Sequence, residues 1–378
     1  MKVTVRMNAR EDALNWYRAC NGGTRFGVDW KQRILKSLQK KIVGKTQGQA
    51  FRFLRPYLQK LYKQTNIKRK RNDLQRLFDK EQDRIAKRME DATGKKICRK
   101  DFTILLTTFP RCPYNPAKGI IWSYTERNIA FSIVSFVHEL NHFQVLYYFK
   151  KQMRKKLTEA QFEDLKEALT AINNDAFTGI LQVPEQGYPI HTYLREDLLR
   201  YWRRNKDFAK LITYGTKITP KYKETMEYLE FGKFTHDRPV AILQRIPNQN
   251  PLKFSKKDIQ RILRSIKSTM DHLSGKPNYA TTIKKSRFQT VNDIIRTKQM
   301  SCGALATVVA SALRYMYVPV RLIDGKYFRN DVWHQHAWNE IYVAKEKKFI
   351  PFDITKPGFA VGKLHKRIAE YGDWGDMK

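Results

Sequence analysis

The chain has 378 residues, 42% of them hydrophobic and 12% aromatic, enough apolar surface for packed cores and too much for general disorder. Lys plus Arg number 73 against 36 Asp plus Glu, a formal charge of +37 that favours polyanions. The charge is spread along the whole length, and no helix-turn-helix, zinc-finger or RNP pattern goes with it, so contact with nucleic acid is expected through non-specific charge only.

Residues 1 to 92 read as helices with polar connections. The stretch "RNDLQRLFDKEQDRIAKRMEDATG" keeps Leu74, Leu77, Ile85 and Met89 at helical intervals and stops at Gly94. Two strands follow, "DFTILLTTF" and "GIIWSYT", around the Pro-rich turn "PRCPYNPAKG". A long apolar helix is expected over Asn128 to Phe149, then a second helix opened by a capping box at Thr158 and Gln161. Residues 214–255, with "GTKITPKYK" and "IPNQNPLKFS", read as a linker region. Order resumes at Lys256 with helices "KKDIQRILRSIKSTMDHLS" and "TVNDIIRTK", a third helix from Cys302, and strands "VPVRLIDG", "HAWNEIYV" and "KFIPFDI". No repeat of 20 to 50 residues is evident. The expectation is an α+β protein with a mostly helical domain at 1–213, a linker at 214–255 and a second domain at 256–378.

The four cysteines, Cys20, Cys98, Cys112 and Cys302, show no C-x-x-C spacing and suggest neither a disulfide framework nor a thiolate zinc site. The N-terminal segment lacks a basic head followed by an apolar run, and no stretch reaches 18 apolar residues, so neither signal peptide nor transmembrane segment is expected. A soluble, reducing, cytoplasmic setting is the default. Oligomeric state is not legible.

Cys302 opens "SCGALATVVASALRYMYVPVRLIDG". From Ala304 to Met316 the only polar side chains, Thr307, Ser311 and Arg314, form one narrow stripe, so the rest of the helix must be buried. Taken alone, Cys302 is a small core residue. Its place in the first turn argues otherwise, because the unpaired amides and the helix dipole there stabilise a thiolate. Downstream, His336 opens "HAWNEIYV" and Asp353 closes "KKFIPFDIT". A thiol nucleophile needs a base within hydrogen-bond reach, and the base needs an orienting carboxylate. Antiparallel neighbours can hold the two side by side.

These three pieces, in this order over Thr290 to Thr355, resemble the transglutaminase-like superfamily. The resemblance implies a papain-like α+β core with an antiparallel sheet. It casts Cys302 as nucleophile, His336 as general base and acid, and Asp353 as orienter, in acyl transfer at amide bonds of protein or peptide substrates. The site needs no cofactor. Ser301 stands where cross-linking members usually show Gln, which favours water over an amine as acceptor. Gln299 is a candidate oxyanion donor, and His334 is a rival base.

A second constellation lies in "SFVHELNHFQVLYY". His138 and His142, at i and i+4, are ~40° apart on one helix face, so both imidazoles can reach one zinc ion. Glu139 then stands beside the open coordination position, placed to take a proton. The helix is apolar nearly all round apart from a stripe of Asn128, Ser132, Ser135, His138, Glu139 and His142, and such a stripe most readily lines a cleft. From Asp101 to Arg200 the segment resembles the zincin metallopeptidases, which need a third ligand. Glu167 on the next helix is the choice, with Glu163 and Glu185 as rivals; Tyr188 and His191 are candidate oxyanion stabilisers. Three functions follow as expectations: a thiol hydrolase or transferase, a zinc metallopeptidase, and a non-catalytic basic polyanion-binding protein.

Overall fold

The computed structural model describes residues 1–23, 26, 28–126, 128–246, 249–274, 288–298 and 300–377, and divides into two compact units, Met1–Lys221 and Tyr222–Lys378. The first unit is built on a mixed four-stranded sheet of order β1-β2-β4-β3. Strand β1 (Lys2–Met7) runs parallel to β2 (Asp101–Thr107), which runs parallel to β4 (Ile120–Tyr124). The short β3 (Tyr114–Asn115) pairs antiparallel with β4 at the edge.

Strand β1 corrects the expectation of an all-helical first 92 residues. Its Val3 and Val5 point into the core, while Thr4 and Arg6 are less buried, a period of two that is short and whose partner lies far down the chain. Helices Ile67–Thr93 and Ile129–Gln144 bury their apolar stripes with the sheet residues Val3, Val5, Phe102, Ile104, Leu106 and Ile121. The first helix stops at Gly94, whose φ of 65° is the left-handed cap that glycine adopts at no steric cost. The second is capped by Asn128, and beyond Gln144 it widens into a π-helix over Val145–Phe149. The expected capping box at Thr158 and Gln161 is present, opening the helix Glu159–Leu169.

The second unit carries an antiparallel sheet of order β7-β6-β5-β8, made of β5 (Val320–Arg329), β6 (Val332–Val343), β7 (Lys348–Phe352) and β8 (His365–Tyr371). Against it packs the helix Cys302–Tyr315, whose residues Gly303 to Arg314 are all buried. The polar stripe read from the sequence is therefore buried too, and each of its members binds a flanking segment. Thr307 accepts the indole N–H of Trp374 at 3.0 Å, and the Ser311 hydroxyl donates to the Asp237 carbonyl at 2.6 Å. The Arg314 guanidinium donates to the carbonyls of Glu230, Val320 and Gly372 and to the Thr235 hydroxyl. These bonds offset the cost of burying the cation, although burial still lowers its pKa to about 10.

The segment 214–255, expected as a linker, is packed instead. The helix Phe208–Ile218 runs into it, the division between units falls at Lys221, and Phe234, Ile242, Ile246 and Phe254 join the second unit's core. Its apolar residues are spaced irregularly among prolines, asparagines and lysines, so no period announces their burial. Among the described residues no helix is long and apolar enough to cross a membrane.

Removing the Arg314 head group should take a donor from four acceptors, of which the Val320 carbonyl and the Thr235 hydroxyl are buried. Arg314→Met is expected to lower the unfolding free energy of the second unit by about 3 kcal/mol or more, read from urea denaturation. A loss under about 1 kcal/mol would mean that the stripe is not what fastens these segments.

Candidate functional site

In the second unit, Ser301 caps the helix that carries Cys302: its side chain accepts the Ala304 N–H at 3.2 Å. That is the local reason for a serine at this position, since the first-turn donors have no helical partner. Cys302 itself is half-buried in the first turn. The Asn339 side chain donates to the Ala306 carbonyl at 3.1 Å and so fixes β6 on the helix. Three residues earlier on β6 stands His336, paired in register with Gly325 of β5. A side chain at Gly325 would run into the Trp338 ring and the Lys366 carbonyl, so only glycine leaves room opposite the imidazole.

Asn339 pairs with Phe352, the last residue of β7, and Asp353 follows directly. Its carboxylate Oδ2 lies 2.7 Å from His336 Nε2, and the same imidazole is hydrogen-bonded to Cys302. Cys302, His336 and Asp353 are thus brought together, as the sequence order suggested. His334, the rival, is exposed and pairs with Tyr327 instead. Gln299 lies outside the described residues.

Burial works against a charge on His336, yet the hydrogen bonds and charges of Asp353 and Cys302 outweigh it and raise its pKa to about 9. Burial likewise opposes the Asp353 charge, and hydrogen bonds from His336, Thr355 and His365 bring that carboxyl down to about 2. An imidazolium between a thiol and a carboxylate is the arrangement in which sulfur attacks as the anion and the proton stays close by.

In the first unit, His138 and His142 stack edge to face with centroids 4.5 Å apart. Glu167 Oε2 lies 3.3 Å from His138 Nε2 and 3.1 Å from His142 Nε2, and the three ligand atoms lie within 4.8 Å of one another. Glu185 approaches from the other side, 3.0 Å from His138 Nδ1, and is itself gripped by Arg195. Glu163 pairs with the buried Lys166 at 2.8 Å, and Lys166 also reaches the Tyr114 hydroxyl at 2.6 Å. The geometry therefore separates the candidates: Glu167 faces both imidazoles, Glu185 backs one of them, and Glu163 faces away to a lysine. His191 is fully buried with Nε2 on Asp164 at 3.0 Å, its ring against Tyr188.

This donor set fits a zinc ion. With its Nδ1 on Glu185, His138 can turn Nε2, alongside His142 Nε2, toward the Glu167 carboxylate, the N2O donor set that zinc takes; without an ion the same spacing is met by a proton on Nε2 hydrogen-bonded to Glu167. Burial opposes it, but hydrogen bonds to Glu167 and Glu185 raise the His138 pKa to about 10, while burial pushes His142 down to about 4. Burial, with Glu167 close by, holds Glu139 up near 8, and its Oε2 is buried without a hydrogen-bond partner.

With both arrangements in view, the comparisons with known proteins bear on one of them. Residues 251–354 match the family model of the transglutaminase-like superfamily, a span that contains Cys302, His336 and Asp353, and the second unit thus carries a transglutaminase-like domain. No curated protein matches the chain. Among solved structures, a proposed cysteine protease from Cytophaga hutchinsonii is similar at 17% identity, over 38% of this chain and 53% of that one, with a TM-score of 0.24. The chain thus spans about half the length of that protein, and overlap at such a TM-score fixes no shared activity.

Sequence reasoning did not single out Lys166, which reads as part of a solvated helix face, or Arg195. It also passed over His365 on β8, whose Nε2 lies 3.1 Å from Asp353. With 8 histidines in the chain, each could have been examined for a carboxylate partner, but nothing local marks His365.

The His336 pKa has a consequence for stability. A folded value near 9, above the ordinary 6.5, contributes stability that is complete below about pH 6.5 and is lost as pH rises through about 9. Urea titrations of the native protein should lose on the order of 2 kcal/mol across that window, and His336→Gln should flatten the slope. An unchanged slope in the variant would show the imidazole to be neutral in the folded state.

Proposed function

We propose that the second unit is a thiol enzyme that cleaves or transfers acyl groups at amide bonds of protein or peptide substrates, with Cys302, His336 and Asp353 as its triad. One observation carries this reading: a single buried imidazole is bonded to the Cys302 sulfur on one side and to Asp353 on the other. The Cys302 thiolate attacks the amide carbonyl carbon at the N-terminus of its helix, where free first-turn amides would be available to the developing oxyanion. His336 passes its proton to the departing nitrogen, the C–N bond breaks, and a thioester remains on sulfur. Water then attacks the thioester carbonyl, His336 takes its proton, and the acid leaves with the thiolate restored. Asp353 keeps Nε2 occupied, so that the other ring nitrogen faces the sulfur throughout. The serine at 301 supports hydrolysis over amine transfer, because a capping residue stands where cross-linking relatives usually carry glutamine.

A second reading, for the first unit, has its own observation in the convergence of His138, His142 and Glu167. It makes this unit a zincin-like metallopeptidase in which those three residues hold zinc, and the ion when bound would supply Lewis acidity toward a peptide carbonyl. Glu139, buried beside the pair and with its Oε2 lacking a hydrogen-bond partner, is the base that takes up and returns a proton. Glu185 orients His138, and Arg195 holds Glu185.

Cys302→Ala should abolish alkylation of this position by iodoacetamide at neutral pH. It should also lower any amidase activity by on the order of 10⁴-fold, measured on a broad peptide set with a zinc chelator present to silence the first unit. Activity that survives in the variant would sink the thiol reading. For the other site, metal analysis of purified protein should find close to one zinc per chain in the native form and in Glu139→Gln, and none in His138→Ala. Absence of zinc from the native protein would remove the metallopeptidase reading.

A further inference from the structure

The Asp353 carboxylate has more donors than a triad needs. Oδ1 accepts the backbone N–H of Thr355 at 2.9 Å and its hydroxyl at 2.7 Å. Oδ2 accepts from His336 at 2.7 Å, and His365 Nε2 reaches that same oxygen at 3.1 Å. His365 comes from β8, beyond the stretch of 251–354 that carries the family match. Its side chain is nearly inaccessible, and its ring lies 4.9 Å from Tyr327, 5.4 Å from Trp338 and 5.8 Å from His336, centroid to centroid.

Two imidazoles and a carboxylate at this spacing resemble the cluster in the first unit, and a bound metal ion is the obvious first thought. The backbone decides against it. The Gly362 N–H donates to His365 Nδ1 at 3.2 Å, so Nδ1 is the acceptor and the proton resides on Nε2. A nitrogen carrying a proton cannot ligate a metal ion, whereas it can donate to Asp353 without itself becoming charged. In the first unit the second partner has the opposite polarity: the Glu185 carboxylate lies on His138 Nδ1, so a proton kept there would free Nε2 for an ion beside Glu167. The same residue types, with second partners of opposite polarity, give a donor in one place and a candidate ligand in the other.

We infer that His365 is a positioning residue of the thiol site, a fourth member that acts through Asp353: its Nε2–H anchors Oδ2 and shares that oxygen's charge with His336. The inference rests on the proposed thiol reading. The register of the sheet makes the placement rigid, since Tyr327 of β5 pairs with His334 of β6 on one side and with His365 of β8 on the other. A register shift between Asp324 and Gly325 leaves one residue of β8, Ile368, unpaired next to the stretch that carries His365. The charged or titratable groups that meet His365 or its ring neighbours include Asp353, His336, the Tyr327 phenol and, over the Tyr327 ring, the Lys356 ammonium 3.2 Å from the ring centroid. None but His336 competes for Oδ2.

Removing the second donor should do two things. Asp353 loses one of the contacts that hold its carboxylate plane, so His336 is less well aimed. The whole charge of Oδ2 also turns to His336, which then gives up its proton less readily. His365→Phe, which keeps a ring in the packing, should lower kcat/KM by roughly 10-fold, mainly through kcat. The decisive readout needs no substrate: the rate at which iodoacetamide alkylates Cys302 in the full chain, followed against pH by mass spectrometry of the Cys302 peptide. In His365→Phe the upper limb of that profile should move to higher pH, while His365→Gln, whose amide can donate to the same oxygen, should stay with the native protein. Superimposable profiles for the native and Phe proteins would overturn the role. If Cys302 of the native protein reacts no faster than a simple thiol, the thiol reading fails and His365's role falls with it. Should His365→Phe not fold, the native protein still decides the matter. ¹⁵N-histidine NMR must find His365 as the Nε2–H tautomer, and an Nδ1–H tautomer refutes the proposal.

Discussion

A carboxylate with no access to water stays ionised only if donors replace its hydration, and the second unit is organised around one such group. Asp353 is fully buried and receives hydrogen bonds from His336, His365 and both polar groups of Thr355. Each donor comes from a different strand or turn, so the sheet order, the end of β7 and the turn after it are all constrained by the need to surround this one side chain. With a folded pKa near 2 against an ordinary value near 4, Asp353 contributes stability that is present above about pH 4 and lost as pH falls toward 2. The imidazolium of His336 is the other half of the same arrangement, and Cys302 meets that half at the helix end.

Composition points the other way, which makes these carboxylates more telling. A chain of +37 has cations to spare, yet both candidate sites are assembled around buried acids. In the first unit Glu139, Glu167 and Glu185 crowd two imidazoles, and the cations drawn inward to offset them are Lys166 and Arg195. The net positive charge lowers the cost of keeping such carboxylates ionised.

Much of this was legible in the sequence because it repeats at short range. The helical periods around Leu74 and Ala304, the capping box at Thr158, and the order of Cys302, His336 and Asp353 are all local or ordered signals. The site residues His138, His142 and Glu167 also lie where helical spacing puts them. What was hidden depends on pairing across long separations. Strand β1 has only two inward valines, and its partner β2 lies beyond the helix Ile67–Thr93. Residues 222–255 bury Phe234 and Ile242 without any period. His365 reaches Asp353 only because β8 adds to the sheet beside β5. Lys166 looks solvated until Glu163, Glu167 and Tyr114 close on it. The choice between Glu167 and Glu185 turned on which ring nitrogen each one faces, and no sequence pattern encodes that.

Arg314 draws a boundary that sequence similarity does not. Its guanidinium joins carbonyls at 230, 320 and 372 and the hydroxyl of Thr235, while Trp374 hangs from Thr307 two turns away on the same face. Family resemblance covers 251–354, so most of what this side chain grips lies outside it. The segment that shares ancestry with other proteins and the segment that must fold together are therefore different objects here. A fragment cut at the edges of the resemblance would keep Cys302, His336 and Asp353 but lose three of the four partners of the buried arginine, and with them the packing of the segments they fasten to its helix.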